Sequence, residues 1–270
     1  MASKEQVNQY FDEGYYIADD AVEPELLEPL TAAMRRAKEK VYSGAVVDDA
    51  NRIGTGGPGE KAETFWGLIA PEFEEPVFAE YLGSQPVYRH MQSLLGDELR
   101  LGWLCALAID GGSYECGWHR DIGGEERDGT YEVEMEILGR HRKNLVKWHM
   151  ALVEDACLWI VPGSQRSYRT DEEREALINN PLNEISTGRQ IVLKKGQTVF
   201  WTGNTIHRGK MPEGVDQRLT LTGALVKYEE DGPPDKLDER FRWCLADNVR
   251  ASLPARGQTY YDNWRTAVRA

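Results

Sequence analysis

From residue 99 to residue 228 the apolar residues recur at short, strand-like intervals, and this constrains the fold more than any other feature of the chain. LRLGWLCALAI (99–109), YECGWHRDI (114–122), VKWHMALVE (146–154), CLWIVPGS (157–164), RQIVLKKGQTVFWTGNTIHRG (189–209) and RLTLTGALVKY (218–228) are rich in β-branched and aromatic residues. Glycine, aspartate and charged breaks separate them. Before residue 99 the pattern is helical. Residues 4–16 and 24–40 read as helices, the second with Pro24 in its first turn and Leu26, Leu27, Leu30, Ala33, Met34 and Ala37 at helical spacing. Residues 75–95 read as helix ending at Gly96, and 170–180 as a short polar helix. The predicted fold is mainly β with flanking helices, its antiparallel strands forming a sandwich or barrel.

No Pro/Gly/Ser-rich linker divides the chain, so a single domain is expected over 1–270. It comprises a helical layer (1–98), a β core (99–228) and a C-terminal extension (229–270). The glycine-rich stretch 44–62 lacks a preceding strand and a Gly-Lys-Ser/Thr ending, which excludes a phosphate loop. A net charge of −13 repels nucleic acid and anionic membranes. No apolar run approaches the ~18 residues of a membrane span, and the first residues lack the apolar core of a secretory signal. Cys105, Cys116, Cys157 and Cys244 are scattered without a CxxC pair, as expected of reduced thiols in a cytoplasmic protein. The basic clusters Arg140, His141, Arg142, Lys143, Lys147 and Arg166, Arg169 read as solvated loop charge.

Chemistry concentrates in a few side chains. His119 and Asp121 sit two apart in a strand-like run, so both leave the same face. His207 follows the strand QTVFW and a Gly203-Asn204 turn, where it can face that pair. Two imidazoles and one carboxylate on one side of an octahedral metal leave the opposite side open, the facial set of non-haem iron(II) oxygenases. Across the polar loop RGKMPEGVDQ (208–217), Arg218 is expected on the strand neighbouring His207, with Thr220 on the same face. A cosubstrate such as 2-oxoglutarate, chelating through its 1-carboxylate and keto oxygens, carries a second carboxylate. Arginine's planar fork suits that group, and Thr220 adds a hydroxyl donor.

In the order and spacing of FDEGYYIADDAVEPELLEPL, GWHRD, WHMALVEDACLWIVPGSQR and TVFWTGNTIHRGKMPEGVDQRLTLTG, residues 8–228 resemble the phytanoyl-CoA dioxygenase-like 2-oxoglutarate oxygenases. The resemblance implies a distorted double-stranded β-helix, of the jelly-roll or cupin type. It implies iron(II) held by His119, Asp121 and His207, Arg218 on the cosubstrate tail, and 2-oxoglutarate and O2 as co-reactants. The implied reaction oxidises a small-molecule substrate and releases succinate and CO2. Asp121 separates the chain from the halogenating branch, which has glycine or alanine there. The strand LGWLCALAI lacks the polar residue, often glutamine, that relatives place before the His-x-Asp pair. Three alternatives stay open at this stage. The same chemistry could end in desaturation, demethylation or ring formation, or hydroxylate an acyl-CoA; the barrel could be catalytically silent; or it could be a cupin-type metal enzyme without 2-oxoglutarate.

Other residues carry weaker expectations. Trp201 either lines the cosubstrate site or packs in the core. Asn204 either hydrogen-bonds near the metal or closes the turn. Alternation sets Trp148 and His149 on opposite faces, and the resemblance turns Trp148 to the pocket and leaves His149 structural. Arg52, Trp66, Trp118, Tyr131 and Gln165 complete the candidate substrate contacts by position. The charged stretch 123–147 is either a lid or disorder, and the aromatic C-terminal segment is expected to pack over the β core.

Overall fold

The computed structural model describes residues 1–46, 64–111, 114–121, 128–141 and 144–268. Helix α1 (Lys4–Glu13) is opened by a capping box between Ser3 and Gln6 and stopped by Gly14, whose φ of 88° is left-handed. It is therefore shorter than the sequence pattern suggests. Tyr15–Ala18 forms strand β1 instead. Helix α2 (Pro24–Ser43) buries Leu30, Ala33, Met34, Ala37 and Val41 along one stripe. The helix expected over 75–95 is two helices, α3 (Val77–Leu82) and α4 (Gln85–Leu95), broken at Gly83-Ser84. A short strand, β2 (Thr64–Trp66), precedes them.

The remaining strands are β3 (Leu99–Asp110), β4 (Glu115–His119), β5 (Leu145–Ala151), β6 (Asp155–Ile160), β7 (Arg189–Leu193), β8 (Thr198–Trp201), β9 (His207–Lys210) and β10 (Gln217–Lys227). They form two antiparallel sheets, ordered β1-β8-β5-β10-β3-β2 and β4-β9-β6-β7. The fold is thus mostly β with flanking helices, an open pair of antiparallel sheets rather than a closed barrel. Within the stretch 123–147 the structure places helix α5 (Tyr131–His141), which corrects the reading of that part as disorder. The polar helix is α6 (Asp171–Arg174), continued by a π turn over Glu175–Asn179.

The two-residue period of the strands decides which side chains meet the site. On the larger sheet, Trp148 and Met150 of β5 and Leu219, Leu221 and Leu225 of β10 face the helices. There they join one apolar core with Met34, Phe78, Tyr81 and Met91. Trp148 lies across Gly223, where any Cβ would strike its ring. Near the C-terminus, α7 (Asp247–Ala251) is followed by α8 (Ala255–Val268). Tyr260, Tyr261 and Trp264 of α8 pack into that core, and Asn263 donates to the Leu99 carbonyl at the start of β3. Burying a large side chain here stabilises by roughly 1.5–3 kcal/mol. The helices therefore hold the outer face of the sheet and leave its inner face to the cavity.

Candidate metal centre

The inner faces of the two sheets enclose a cavity of about 770 Å³. At one side His119 and His207 face each other across paired strands, since β4 and β9 place them in register. Asp121 follows just after β4, its N–H donating to the Gly203 carbonyl at 2.8 Å. One donor atom from each of the three lies within 4.8 Å of the others. Asp121 Oδ1 is 3.9 Å from His119 Nε2 and 3.8 Å from His207 Nε2. The backbone fixes both rings. His119 Nδ1 is 2.8 Å from the Gly117 carbonyl and His207 Nδ1 is 2.8 Å from the Thr205 carbonyl. A carbonyl only accepts, so each Nδ1 carries the proton and each Nε2 turns its lone pair to the shared centre.

The electrostatics suit a cation. Burial pushes the Asp121 carboxyl up, but Lys147 and then His207 outweigh it and hold the group below the usual carboxylate range. Burial first, and His119 second, keep the His207 imidazole well below its ordinary value, and therefore neutral. For His119 the lowering by burial is outweighed by Cys116, the Gly117 carbonyl and Asp121. Lys147, expected in solvent, instead reaches into the cavity and donates to Asp121 Oδ2 at 2.7 Å.

At the other side of the cavity stands Arg218. The loop after β9 carries the chain across to the opposite sheet, so Arg218 is not on a strand neighbouring His207. Its strand, β10, lies between β5 and β3, and Arg218 pairs with Ile109. Its Nε donates to Asp155 Oδ2 at 3.0 Å, while buried Nη2 has no hydrogen-bond partner among the described residues. Thr220 shares the face as expected, but its hydroxyl is spent on Asp155 and it does not line the cavity. Thr222, one pleat further, does. Trp201 lines the cavity beside His207, with ring centroids 4.3 Å apart.

Among the substrate candidates, Trp66 and Asn204 line the cavity. The assignment of Trp148 is corrected: it is fully buried under the helices, and His149, on the opposite face of β5, lines the cavity. Trp118 is also displaced from the expected place. It is buried in a small core with Val161, Ile185 and Ile206, its indole N–H on the Asn183 carbonyl. Gln165 is buried and donates to the Phe11 carbonyl rather than facing the cavity mouth. Tyr131, at the start of α5, is 57% exposed and meets Tyr168 instead of the cavity. Arg52 lies outside the described residues. Arg169 also departs from its surface reading: with Arg120 it is buried against Glu134.

Sequence reasoning read Lys147 as solvated and His149 as structural, and passed over Trp103 and Asp155; the first three line the cavity and Asp155 supports Arg218. Strand alternation was the available signal for His149, since Lys147, His149 and Ala151 share one face of β5. His149 is neutral, its imidazole held well below the ordinary value by burial, then by Arg218 and Lys147.

Two observations test whether these residues suit a metal with an acidic cosubstrate. The donor set is two imidazole Nε2 atoms and one carboxylate oxygen. Four buried polar atoms of residues lining the same cavity, Arg218 Nη2, His149 Nδ1, Trp201 Nε1 and Asn204 Nδ2, have no hydrogen-bond partner among the described residues. Buried polar atoms are ordinarily paired, so such a group points to a ligand. The residues fit both.

Comparisons with known proteins agree in fold. Residues 10–212 match the model of the family described as phytanoyl-CoA dioxygenase (PhyH). No curated protein matches the chain in sequence. Among solved structures, EctD from S. alaskensis, with 2-oxoglutarate and 5-hydroxyectoine, is similar with a TM-score of 0.62 at 19% identity, over 84% of this chain and 77% of that one. AviO1 from Streptomyces viridochromogenes Tue57 gives 0.61 at 14% identity, over 87% and 99%. HygX from Streptomyces hygroscopicus, with nickel and 2-oxoglutarate bound, gives 0.60 at 13% identity, over 84% and 88%.

Proposed function

Because the chain belongs to the phytanoyl-CoA dioxygenase family, whose enzymes use iron(II), 2-oxoglutarate and O2, we propose that it hydroxylates a small-molecule metabolite. Per turnover, 2-oxoglutarate, O2 and a substrate C–H become succinate, CO2 and a C–OH. The observation that carries this reading is the placement of two backbone-oriented imidazoles and a carboxylate at one side of a cavity, with a half-paired buried guanidinium at the other.

In this reading His119, Asp121 and His207 hold the metal, and Arg218 takes the distal carboxylate of the cosubstrate. When bound, the metal and cosubstrate supply O2 activation and C–H oxidation. The chain's own part is geometric and electrostatic. The Gly117 and Thr205 carbonyls fix the two imidazole rings, so both lone pairs are aimed before anything binds. Asp155 accepts from Arg218 Nε, from the Thr220 hydroxyl and from the Cys157 N–H, which holds the guanidinium by its Nε and leaves Nη2 for an incoming carboxylate. The Trp201 indole adds a donor to the same cavity, and the His149 imidazole a further polar nitrogen. Leu107, Leu158 and Trp201 exclude water from the same space. The carboxylate at Asp121 fills the position that a halogenating relative leaves for chloride, which favours hydroxylation.

Trp66 and Trp103, in edge contact at 5.9 Å, line the same cavity and support a substrate with an apolar or ring-bearing body. No helix among the described residues is long and apolar enough to cross a membrane. Four free cysteines suit the reducing cytoplasm, where we place the protein.

The test is a screen of candidate metabolites for succinate release under iron(II), 2-oxoglutarate and O2. Substrate-dependent succinate that vanishes in His119→Ala and Asp121→Ala is the expected result. Undiminished turnover in either variant would remove the assignment.

A further inference from the structure

Lys147 is a cation placed where a cation must be explained. It stands on β5, and its register partners are Trp201 on β8 and Ala224 on β10, so its stem crosses the cavity face of the larger sheet. The ammonium lies 4.1 Å from the centroid of the Trp201 ring and 5.9 Å from that of Trp103, and its side chain is only 13% exposed. Its hydrogen bond goes to Asp121 Oδ2 at 2.7 Å, while Asp121 Oδ1 faces the two imidazoles. The two oxygens of one carboxylate therefore have separate employments.

That division has a chemical consequence. A carboxylate can hold a metal through one oxygen or both. An octahedral ion would offer six positions, which three protein donors, two cosubstrate oxygens and O2 would fill. If Asp121 closed with its second oxygen, it would occupy a position the reaction needs. A charge-assisted hydrogen bond to Oδ2 opposes that closure. A positive charge beside a divalent ion costs Coulomb energy, so Lys147 is not there to tighten metal binding.

Resting on the metal-centre reading above, we propose that Lys147 is a positioning residue that holds Asp121 to one-oxygen ligation. Trp201 and Trp103 fix the ammonium by cation–π contact, and the length of the lysine stem sets where Oδ2 is held.

Cobalt(II), titrated anaerobically without cosubstrate, tests this through its visible absorption, which reports ligand number and geometry independently of turnover. Lys147→Met keeps an unbranched stem against Trp201 and removes the charge; Lys147→Arg keeps the charge. The expected result is an altered cobalt spectrum in Lys147→Met, a spectrum close to wild type in Lys147→Arg, and cobalt affinity in Lys147→Met within threefold of wild type or tighter. That split between unchanged affinity and changed geometry is one that general loosening of the fold would not produce. An unaltered Lys147→Met spectrum overturns the proposal, as does a cobalt affinity that collapses. If Lys147→Met fails to fold, Lys147→Leu provides the same comparison. His119→Ala separates the two readings: cobalt binding that survives it removes the metal centre itself, whereas binding lost there but a spectrum indifferent to Lys147→Met removes only the role of Lys147.

Discussion

Asp155 and Arg218 form a buried ion pair at the cavity end remote from the two imidazoles, with Nε 3.0 Å from Oδ2 and side chains 3% and 2% exposed. The pair does two things at once. It neutralises a guanidinium that burial would otherwise make costly, and it leaves the other edge of that guanidinium open. Removing one partner of such a pair costs about 3–5 kcal/mol. Asp155→Ala is thus expected to lower unfolding stability by that amount and to weaken 2-oxoglutarate binding at least tenfold, read by denaturant titration and anaerobic ligand titration. Burial pushes the Asp155 carboxyl up, but Arg218 and Thr220 more than reverse this and bring it down to about 2 from an ordinary 3.8. The contribution is therefore complete above pH 3.8 and lost as the pH falls toward 2, and Asp155→Asn should flatten stability across that interval.

A second titration lies in the helical layer. His90 is buried, its Nδ1 3.0 Å from the Tyr16 hydroxyl and its Nε2 3.0 Å from Asp20 Oδ1. Burial lowers its affinity for a proton below the ordinary 6.5, against the opposing pull of Asp20. Between the folded value and 6.5 the unfolded chain binds the extra proton, so stability falls as pH drops through this window and rises again only on returning above it. His90→Gln should remove that slope in urea unfolding measured from pH 7.5 to pH 5; an unchanged slope would place the titration elsewhere.

Gly203 has no room for a side chain. A Cβ there would overlap the Asp121 carboxylate, whose backbone N–H the Gly203 carbonyl also accepts. Gly203→Ala is expected to fold, with metal affinity reduced by about 10–100-fold, the range seen when supporting contacts of a ligand are lost. Cobalt or iron(II) titration reads the effect directly. Full affinity would show that Asp121 can move without consequence.

Arg120 stands between His119, the last residue of β4, and Asp121, yet its guanidinium turns away into Glu134 of α5 and the Ser164 and Ser167 carbonyls. Arg169 reaches the same carboxylate. Glu134→Ala leaves two buried guanidinium groups with one counter-charge fewer, and should cost about 3–5 kcal/mol. Hydrogen exchange over Glu132–Leu138 is expected to rise in that variant, because the ion pairs clamp α5 to the metal loop.

Much of the site could be read from spacing because strand geometry is local. His119 ends β4 and Asp121 lies two residues on, in the bend beyond the strand, so the spacing found the pair although a hydrogen bond to the Gly203 carbonyl, not strand alternation, sets Asp121 in place; a strand after a glycine turn suffices for His207. Local rules fail where the decision belongs to the layers. Alternation separates Trp148 from His149 but does not say which face the helices will cover; Met34, Phe78 and Tyr81 settle it by burying Trp148. Arg218 was legible as a residue of the site, but its sheet was not, since a polar loop is as able to cross between sheets as to make a hairpin. Lys147 sat in a run of basic residues, and its partner Asp121 lies far enough along the chain that only the folded sheet brings them together. Gly14 carried the signal that α1 ends early, being a glycine directly before Tyr15 and Tyr16.

The most direct measurement is an anaerobic titration of iron(II) protein with 2-oxoglutarate, followed in the visible region. A productive chelate gives a weak charge-transfer band. It should appear in the wild type only when both components are present, vanish in His119→Ala and His207→Ala, and require at least tenfold more 2-oxoglutarate in Arg218→Ala. A wild-type protein that shows no band, or a His119→Ala protein that shows it undiminished, contradicts the assignment of this cavity.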